Sequence, residues 1–185
     1  MWWRRSAAGN VANAQDNLGV MHQHGEGGLA VDLAEGARLY ALAAAQGLAS
    51  AQYNLGTCYS KGRGVPRDLV EAARLYRVSA EQGYGPAQGN LSNAYINGNG
   101  VAVDYAEAMR WARLSADKSS ALGEFNVGKL YANGWGVPRD LRAATMWLSR
   151  AATRGQEAAK KVLLELAAAG VPEAVAAVQR LCLAP

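Results

Sequence analysis

The sequence has few of the residues that carry chemistry, with only two cysteines and two histidines among 185 residues. Two lone cysteines, Cys58 and Cys182, do not make a disulfide framework. His22 and His24 are two residues apart, so on a helix they point in nearly opposite directions and cannot share a metal ion. No Ser–His–Asp or Cys–His arrangement is suggested either. The sequence therefore predicts no catalytic site, no metal site and no cofactor.

Long apolar runs and dense charge are also missing. No run approaches the ~18 apolar residues of a transmembrane helix, and the first ten residues hold no apolar stretch of signal-peptide length. The net charge of +4 is mild, and the arginines are scattered instead of forming the basic stripe typical of nucleic-acid binders. We expect no membrane span and no nucleic-acid partner. The location stays open: cytoplasmic if Met1 is the true start, periplasmic or secreted if the chain is a trimmed fragment.

What the sequence does have is a repeat. A shift of 36 residues places Gly62 on Gly98 and on Gly134, and a shift of 37 places Leu55 on Leu18. The core of a repeat array grows unit by unit, so the pattern predicts one array over residues 1–185 instead of separate domains. Its predicted parts are the second helix of a preceding unit (1–12), four full units (14–47, 51–83, 87–119 and 123–155) and a degenerate capping helix pair (157–185).

Each unit has the signals of two helices joined by a short loop. An aspartate opens the second helix as its N-cap, and in three units a glutamate follows three residues later, which is the capping-box arrangement. In the fourth unit Ala143 takes the glutamate's place, so we expect a cap without the reciprocal bond. The aspartates are Asp32, Asp68, Asp104 and Asp140, and the glutamates are Glu35, Glu71 and Glu107.

Glycines mark three further places in the units. A glycine inside a helix costs ~1 kcal/mol against alanine, so Gly19, Gly56 and Gly128 predict close approach to a partner helix. The Gly-x-Gly loops follow no strand and lack a Gly-Lys-Ser/Thr sequence, so they predict a sharp turn and not a phosphate cradle. A glycine ends most second helices, but Ser119 stands there in the third unit and predicts a less regular turn.

Three conspicuous side chains are assigned to packing. Trp111 and Trp147 stand where other second helices have leucine, so we place them between helices. Cys58 stands where other units have Met, Ala or Leu, which predicts a small buried hydrophobe. None of the three is given a functional role.

The unit pattern closely resembles the Sel-one-like repeat, a relative of the tetratricopeptide repeat. The residues that carry the match in the second unit are Ala51, Leu55, Gly56, Tyr59, Gly62, Gly64, Val65, Asp68, Ala72, Ala80 and Gly83. The resemblance implies an all-α fold, a right-handed α/α superhelical solenoid of antiparallel helix pairs, that serves as a scaffold or adaptor for other proteins. Cysteine-rich members are reported as penicillin-binding or β-lactamase-like, but they carry paired cysteines in each repeat and this chain does not.

A partner is expected on the first helices, which line the concave side of such a stack. We select the variable positions at −5, −2, +2, +5 and +6 from the leucine of the Leu-Gly pair. The predicted groove residues are Asp16, Val20, Gln23, His24, Tyr53, Thr57, Ser60, Lys61, Asn93, Ile96, Asn97, Phe125, Lys129 and Asn133. Polar and nearly neutral, with Tyr53 and Phe125 as aromatic anchors, this groove suits an extended peptide or a protein loop.

Three hypotheses of function follow. The first is a non-enzymatic scaffold or adaptor that binds another protein or peptide in the groove, with an immunity or inhibitor partner of a toxin as one form. The second is an enzyme acting on β-lactams or the cell wall, like the cysteine-rich members. The third is a spacer within a larger protein. The sequence predicts neither the identity of the partner nor the oligomeric state.

Overall fold

The computed structural model describes residues 11–182, and within that range the chain forms ten α-helices and no strand. The helices are α1 (Ala12–His24), α2 (Leu33–Ala45), α3 (Ala49–Lys61), α4 (Leu69–Glu81), α5 (Gly85–Asn97), α6 (Tyr105–Asp117), α7 (Ala121–Asn133), α8 (Leu141–Thr153), α9 (Glu157–Ala168) and α10 (Pro172–Cys182). The half-unit predicted at the N-terminus lies, except for residues 11 and 12, outside the described residues. Residue 12 already belongs to α1, which begins two residues earlier than predicted.

The described residues fall into two compact units, 11–87 with 99–101 and 88–98 with 102–182. In the first unit α1 packs on α2, α2 on α3, and α3 on α4. In the second unit α6 packs on α7, α7 on α8, α8 on α9, and α9 on α10. We call α1, α3, α5 and α7 the first helices of the four repeats, and α2, α4, α6 and α8 the second helices.

Apolar residues bury the facing sides of these helices. Each fully buried leucine contributes about 1.5–3 kcal/mol relative to an exposed one. The buried cluster of the first unit contains Ala37, Tyr40, Leu55, Cys58 and Leu75. The buried cluster of the second unit contains Ala144, Leu148, Ala151, Ala152, Ala159, Leu163 and Ala177. The cluster in the second unit extends into α9 and α10, so the capping helices share its core.

The two tryptophans occupy different environments. Trp111 is buried, as predicted, and its indole N–H donates to Glu107 Oε2 at 3.0 Å. Trp147 is only half-buried, and the guanidinium of Arg150 lies 4.6 Å from its ring centroid. The prediction of a buried inter-helix position therefore holds fully for Trp111 and partly for Trp147.

The glycines inside the first helices permit the close approach that the sequence predicts. A Cβ added to Gly19 would lie 2.7 Å from Tyr40 Cε1, and one added to Gly56 would lie 2.9 Å from Tyr76 Cε1. The third repeat has Ser92 at this position, and its buried hydroxyl donates to the carbonyl oxygen of Ala108 on α6 at 2.8 Å. Serine is tolerated there because its hydroxyl finds a backbone acceptor on the partner helix.

The aspartates cap the second helices as predicted, but the capping box does not form. Asp68 Oδ1 accepts the backbone N–H of Glu71 at 3.0 Å, whereas the N–H of Asp68 donates to the carbonyl oxygen of Tyr59 at 3.0 Å. That bond occupies the donor that Glu71 was expected to satisfy. Glu71 instead accepts from Arg74, one turn along α4, at 2.6 Å. The reciprocal bond was therefore a wrong prediction in the first three repeats.

The same ion pair recurs on two other second helices, α2 and α6. Glu35 pairs with Arg38 at 2.7 Å, and Glu107 pairs with Arg110 at 2.8 Å. The hydrogen bond from the arginine lowers the pKa of each of these two glutamates below its ordinary value. Because the pairs are largely exposed to water, each contributes only about 0.3–0.5 kcal/mol.

The Gly-x-Gly loops dock each repeat onto the preceding one. Gly64 has a φ of 74°, and a Cβ added to it would overlap the carbonyl oxygen of Leu33, the first residue of α2. Gly100 is placed in the same way against Leu69, and Gly136 against Tyr105. The sequence predicted a sharp turn here but not this contact with the preceding second helix.

The turn after α6 corrects a second prediction. Ser119 adopts a positive φ of 58°, the conformation that glycine takes at this place in the other repeats. Its N–H donates to the carbonyl oxygen of Ala116 at 2.8 Å, as that of Gly83 does to Ala80 at 2.9 Å. The turn is therefore as regular as the others, and the serine bears the strain of the left-handed conformation.

The fourth repeat contains a buried ion cluster. The fully buried carboxylate of Glu124 accepts from Arg150 Nε at 3.0 Å and from Arg154 Nε at 3.1 Å. In the second repeat the positions of Glu124 and Arg154 hold glutamines, and Gln82 Nε2 donates to Gln52 Oε1 at 2.7 Å. The fourth repeat thus joins α7 to the end of α8 by charge, where the second repeat uses a neutral amide pair.

Candidate functional site

The predicted groove residues differ in exposure according to their place in the repeat. Positions are counted from the leucine of the Leu-Gly pair, which is replaced by Val127 in the fourth repeat. The position six residues later is exposed in all four repeats, and the position two residues later is half-buried in all four. The exposed residues are His24, Lys61, Asn97 and Asn133, and the half-buried ones are Val20, Thr57, Asn93 and Lys129. These eight residues give every first helix a partly accessible side.

Two predicted groove residues are buried and are removed from the candidate surface. Asp16 is 8% exposed and accepts from Ser50 Oγ at 2.7 Å and from Asn54 Nδ2 at 2.9 Å. Its carboxylate is therefore used to join α1 to α3. Ile96 is 4% exposed, so it offers no apolar anchor to a partner.

In the first unit, aromatic and amide groups surround the half-buried positions. The ring of Tyr53 lies 5.4 Å from that of Tyr84 and 5.9 Å from that of Tyr76. The hydroxyl of Tyr76 donates to Thr57 Oγ1 at 3.4 Å, which ties Thr57 to α4. Sequence reasoning missed Tyr84, which precedes α5 and lies outside the helix positions that were considered. Burial raises the pKa of Tyr84 above its ordinary value.

Gln23 and Ser60 make hydrogen bonds within the first compact unit, residues 11–87 with 99–101. Gln23 Nε2 donates to the carbonyl oxygen of Leu33 at 3.1 Å and lies 3.7 Å from Cys58 Sγ. The backbone carbonyl of Ser60 accepts from Arg67 Nε at 3.2 Å. Both residues are half-buried and retain part of their surface for a partner.

In the second unit, Lys129 is the centre of a small cluster. Its ammonium lies 5.4 Å from the ring centroid of Trp135, which stacks on Tyr105 with 5.1 Å between centroids and 11° between planes. Asn133 Nδ2 donates to the carbonyl oxygen of Lys129 at 2.8 Å. Phe125, a predicted anchor, packs against the buried cluster of this unit and is half-buried. Sequence reasoning missed Trp135 and Tyr105, although both depart from the repeat pattern.

The thiol of Cys58 gives no sign of reactive chemistry. Cys58 is buried, and burial raises the pKa of its thiol to about 11. A thiol with that pKa is protonated at neutral pH and is a poor nucleophile. Within residues 11–182, no group of three or more His, Cys, Asp and Glu side chains could hold a metal ion. None of the helices in that range has the length and apolar character needed to cross a membrane.

An open cavity of about 710 Å³ lies between α8 and α10, away from the predicted groove residues. Next to it, α9 and α10 are joined by residues 169–171 alone. Its lining mixes Arg142 and Arg180 with Glu173, Met146 and small residues. Asp140 and Arg150 complete its charged lining, which carries three arginines and two acids.

Comparisons with known proteins decide the family. The Sel1 repeat model matches residues 12–48, 49–84, 85–120 and 121–156, which is most of the chain. The chain belongs to the Sel1 repeat family. Sel1 repeat proteins generally act as protein-interaction scaffolds, and the fold is typically non-catalytic. The predicted all-α solenoid fold and the predicted family are both confirmed.

Solved Sel1 structures resemble the chain over nearly its whole length. A protective antigen present in uropathogenic Escherichia coli strains, which displays an SLR fold, is 35% identical with a TM-score of 0.79. That comparison covers 96% of this chain but only 38% of the antigen. A Sel1 repeat protein from Oxalobacter formigenes is 28% identical with a TM-score of 0.80, covering 94% of this chain and 73% of that one. No curated protein matches the chain.

Proposed function

We propose that this Sel1 repeat chain is a non-enzymatic interaction module that holds a protein or peptide on the accessible side of its first helices. One observation carries the proposal: from one repeat to the next, the packing residues recur while the accessible residues change. The buried leucine recurs as Leu18, Leu55 and Leu91, with Val127 in the fourth repeat, whereas the exposed position six residues later holds a histidine, a lysine and two asparagines. Packing does not constrain the exposed side chains, so they can differ between repeats and be fitted to a partner.

Hydrogen bonds pre-order several of these side chains for binding. Asn97 Nδ2 donates to Asn93 Oδ1 at 2.7 Å, and Thr57 is tied to Tyr76 across the repeat. A side chain that is already ordered loses less conformational entropy when a partner binds. Amides and hydroxyls at half-buried positions also suit the backbone of an extended peptide, which presents both donors and acceptors.

Site-specific photocrosslinking tests the proposal. A photoreactive phenylalanine analogue is placed at Lys61 on α3 or Asn97 on α5 in the full chain, and crosslinking is carried out in an extract of cells that produce it. The matched control sites are Val70 on α4 and Met146 on α8, which are 67% and 52% exposed. The proposal predicts one protein captured in common from the two first-helix sites and little from the second-helix sites.

Two results would contradict the proposal. Capture at Val70 and Met146 that equals capture at Lys61 would mean that the first helices are not preferred. Absence of a specific product at all four sites would favour the spacer hypothesis instead. Circular dichroism of each variant shows whether the helical fold is retained, so that misfolding is not mistaken for lost binding.

A further inference from the structure

One residue of the third repeat and two of the fourth differ from their counterparts in the other repeats, and their side chains form one contact cluster. Tyr105 stands where Leu33 and Leu69 begin α2 and α4. Lys129 stands at the position held by Val20, Thr57 and Asn93 in the other repeats. Trp135 stands in the Gly-x-Gly loop at the position held by Arg63 and Asn99. They come from three separate segments: the start of α6, the middle of α7 and the loop that follows α7. We call these three residues the Trp135 cluster.

The Trp135 cluster is ordered without being buried. The indole of Trp135 stacks on the ring of Tyr105 at 11° and 5.1 Å, and the Lys129 ammonium lies 5.4 Å from the indole centroid. All three side chains are half-buried. Lys129 makes no ion pair with any residue from 11 to 182. An aromatic pair and an unneutralised cation are therefore held together at the surface.

The repeat fold does not require this arrangement. In the first unit, Gly64 and Gly100 dock against Leu33 and Leu69 with no aromatic ring at that place. Gly136 makes the corresponding contact with the backbone and Cβ of Tyr105, so docking does not use the phenol ring. The other repeats serve as internal controls, and they show that the three departures are dispensable for packing.

We propose that the Trp135 cluster binds an acidic peptide segment, with a carboxylate on the Lys129 ammonium and an apolar or aromatic side chain against the rings of Trp135 and Tyr105. This inference rests on the proposed function and names the chemistry of the partner. The ammonium is already drawn to the indole face, and a carboxylate adds a charge-assisted hydrogen bond to it. Tryptophan and tyrosine are also the residue types that dominate binding energy at interfaces.

A peptide fits the cluster better than a nucleic acid does. Single-stranded nucleic acids are bound by a row of cations that follows the phosphates, together with stacked bases. Within residues 11–182, Lys129 is the one cation found over this indole, and Arg139 Nε donates to the carbonyl oxygen of Ala132 at 3.0 Å. One cation beside one aromatic pair matches a single carboxylate and its neighbouring side chain.

The test follows the indole N–H resonance of Trp135 in the ¹⁵N-labelled full chain, assigned by its loss in Trp135→Phe. The probes are acetyl-Phe-Glu-Glu-amide and acetyl-Phe-Gln-Gln-amide, which differ only in charge and the groups that carry it. We expect the acidic peptide to shift this resonance and to bind at least about threefold more tightly than the glutamine peptide. Lys129→Gln removes that preference, whereas Lys161→Gln, the loss of an exposed cation on α9, leaves it intact.

Three results would overturn the inference: equal affinity for the two peptides, a preference that persists in Lys129→Gln of unchanged thermal stability, or tighter binding of a ten-nucleotide oligothymidylate at Trp135. None of these three results would contradict the proposed function, because its crosslinking sites, Lys61 and Asn97, lie outside the Trp135 cluster. Conversely, failure of the crosslinking together with a positive titration would retain the cluster as a peptide site and reject the first helices as the general binding side.

Discussion

Alanine at Gly64, in the Gly-x-Gly loop after α3, has two costs: a left-handed backbone conformation and a steric overlap with α2. Comparison with alanine at Gly47 separates them. Gly64 and Gly47 both have positive φ, 74° and 87°, so alanine at either site takes the left-handed conformation, which costs about 1–2 kcal/mol. The surroundings differ: a Cβ at Gly47 would meet nothing within 4 Å, whereas one at Gly64 would overlap the carbonyl oxygen of Leu33. A backbone carbonyl cannot rotate away as a side chain can. Gly64→Ala therefore carries an added overpacking cost of about 1–3 kcal/mol.

Urea unfolding followed by far-ultraviolet circular dichroism measures both variants at the same temperature. We expect Gly47→Ala to lower the free energy of unfolding by about 1–2 kcal/mol and Gly64→Ala to lower it by about 2–5 kcal/mol. Similar slopes of the unfolding free energy against urea would show that the two variants unfold from comparable states. If Gly64→Ala costs no more than Gly47→Ala, the loop can lift from α2 without loss, and its docking does not stabilise the array.

The remaining predictions concern single side chains. Ser119→Gly should raise the free energy of unfolding by about 1 kcal/mol, since glycine adopts the φ of 58° without strain, and a lower urea midpoint would count against it. Glu124→Gln should lower the free energy of unfolding by about 1–3 kcal/mol. The loss is no larger because Arg150 and Arg154 are 47% and 43% exposed and can be rehydrated. An unchanged urea midpoint would show that the ion cluster is dispensable. Cys58 should resist Ellman's reagent at pH 8 until urea unfolds the chain, because burial raises the pKa of its thiol from the ordinary value of 9.0 to about 11. The contribution of this buried thiol to the free energy of unfolding is therefore complete below pH 9 and is lost as the pH rises toward 11. Cys58→Ala has no thiol to ionise and should not show this loss. Nitrocefin should not be hydrolysed above background by the purified chain, and turnover that survives purification would revive the β-lactam hypothesis.

Features set by neighbouring residues could be predicted from the sequence. The aspartate caps depend on a side chain and an N–H two or three residues away, and all four aspartates accept such a bond. The internal glycines were also informative, because a repeated helix glycine has a cost that only close packing explains. These signals repeat at a fixed spacing, so each copy supports the interpretation of the others.

Features set by distant residues could not be predicted in the same way. The capping box failed because the N–H of Asp68 donates to Tyr59, a bond that needs the loop to fold back on α3. Asp16 is buried because Asn54, in the next repeat, donates to its carboxylate. Counting positions along one helix cannot reveal a contact made by the following helix.

The Trp135 cluster shows a different limit of sequence reasoning. Trp135, Tyr105 and Lys129 lie in three segments, and only the folded chain brings them together. Each differs from its counterparts in the other repeats, so the signal was present in the sequence. It could not be interpreted as a site, because a repeat pattern ranks residues by recurrence and not by contact with one another.

Lysine footprinting on the complex tests the central claim most directly. The chain is acetylated under limiting conditions with and without the partner recovered by photocrosslinking, and the modification of each lysine is measured by mass spectrometry. Lys61 and Lys129 lie on first helices, whereas the exposed Lys118 follows α6 and the exposed Lys161 lies on α9. The account predicts that the partner protects Lys61 and Lys129 and leaves Lys118 and Lys161 unchanged. Protection of Lys118 or Lys161 with Lys61 and Lys129 unaffected would contradict it.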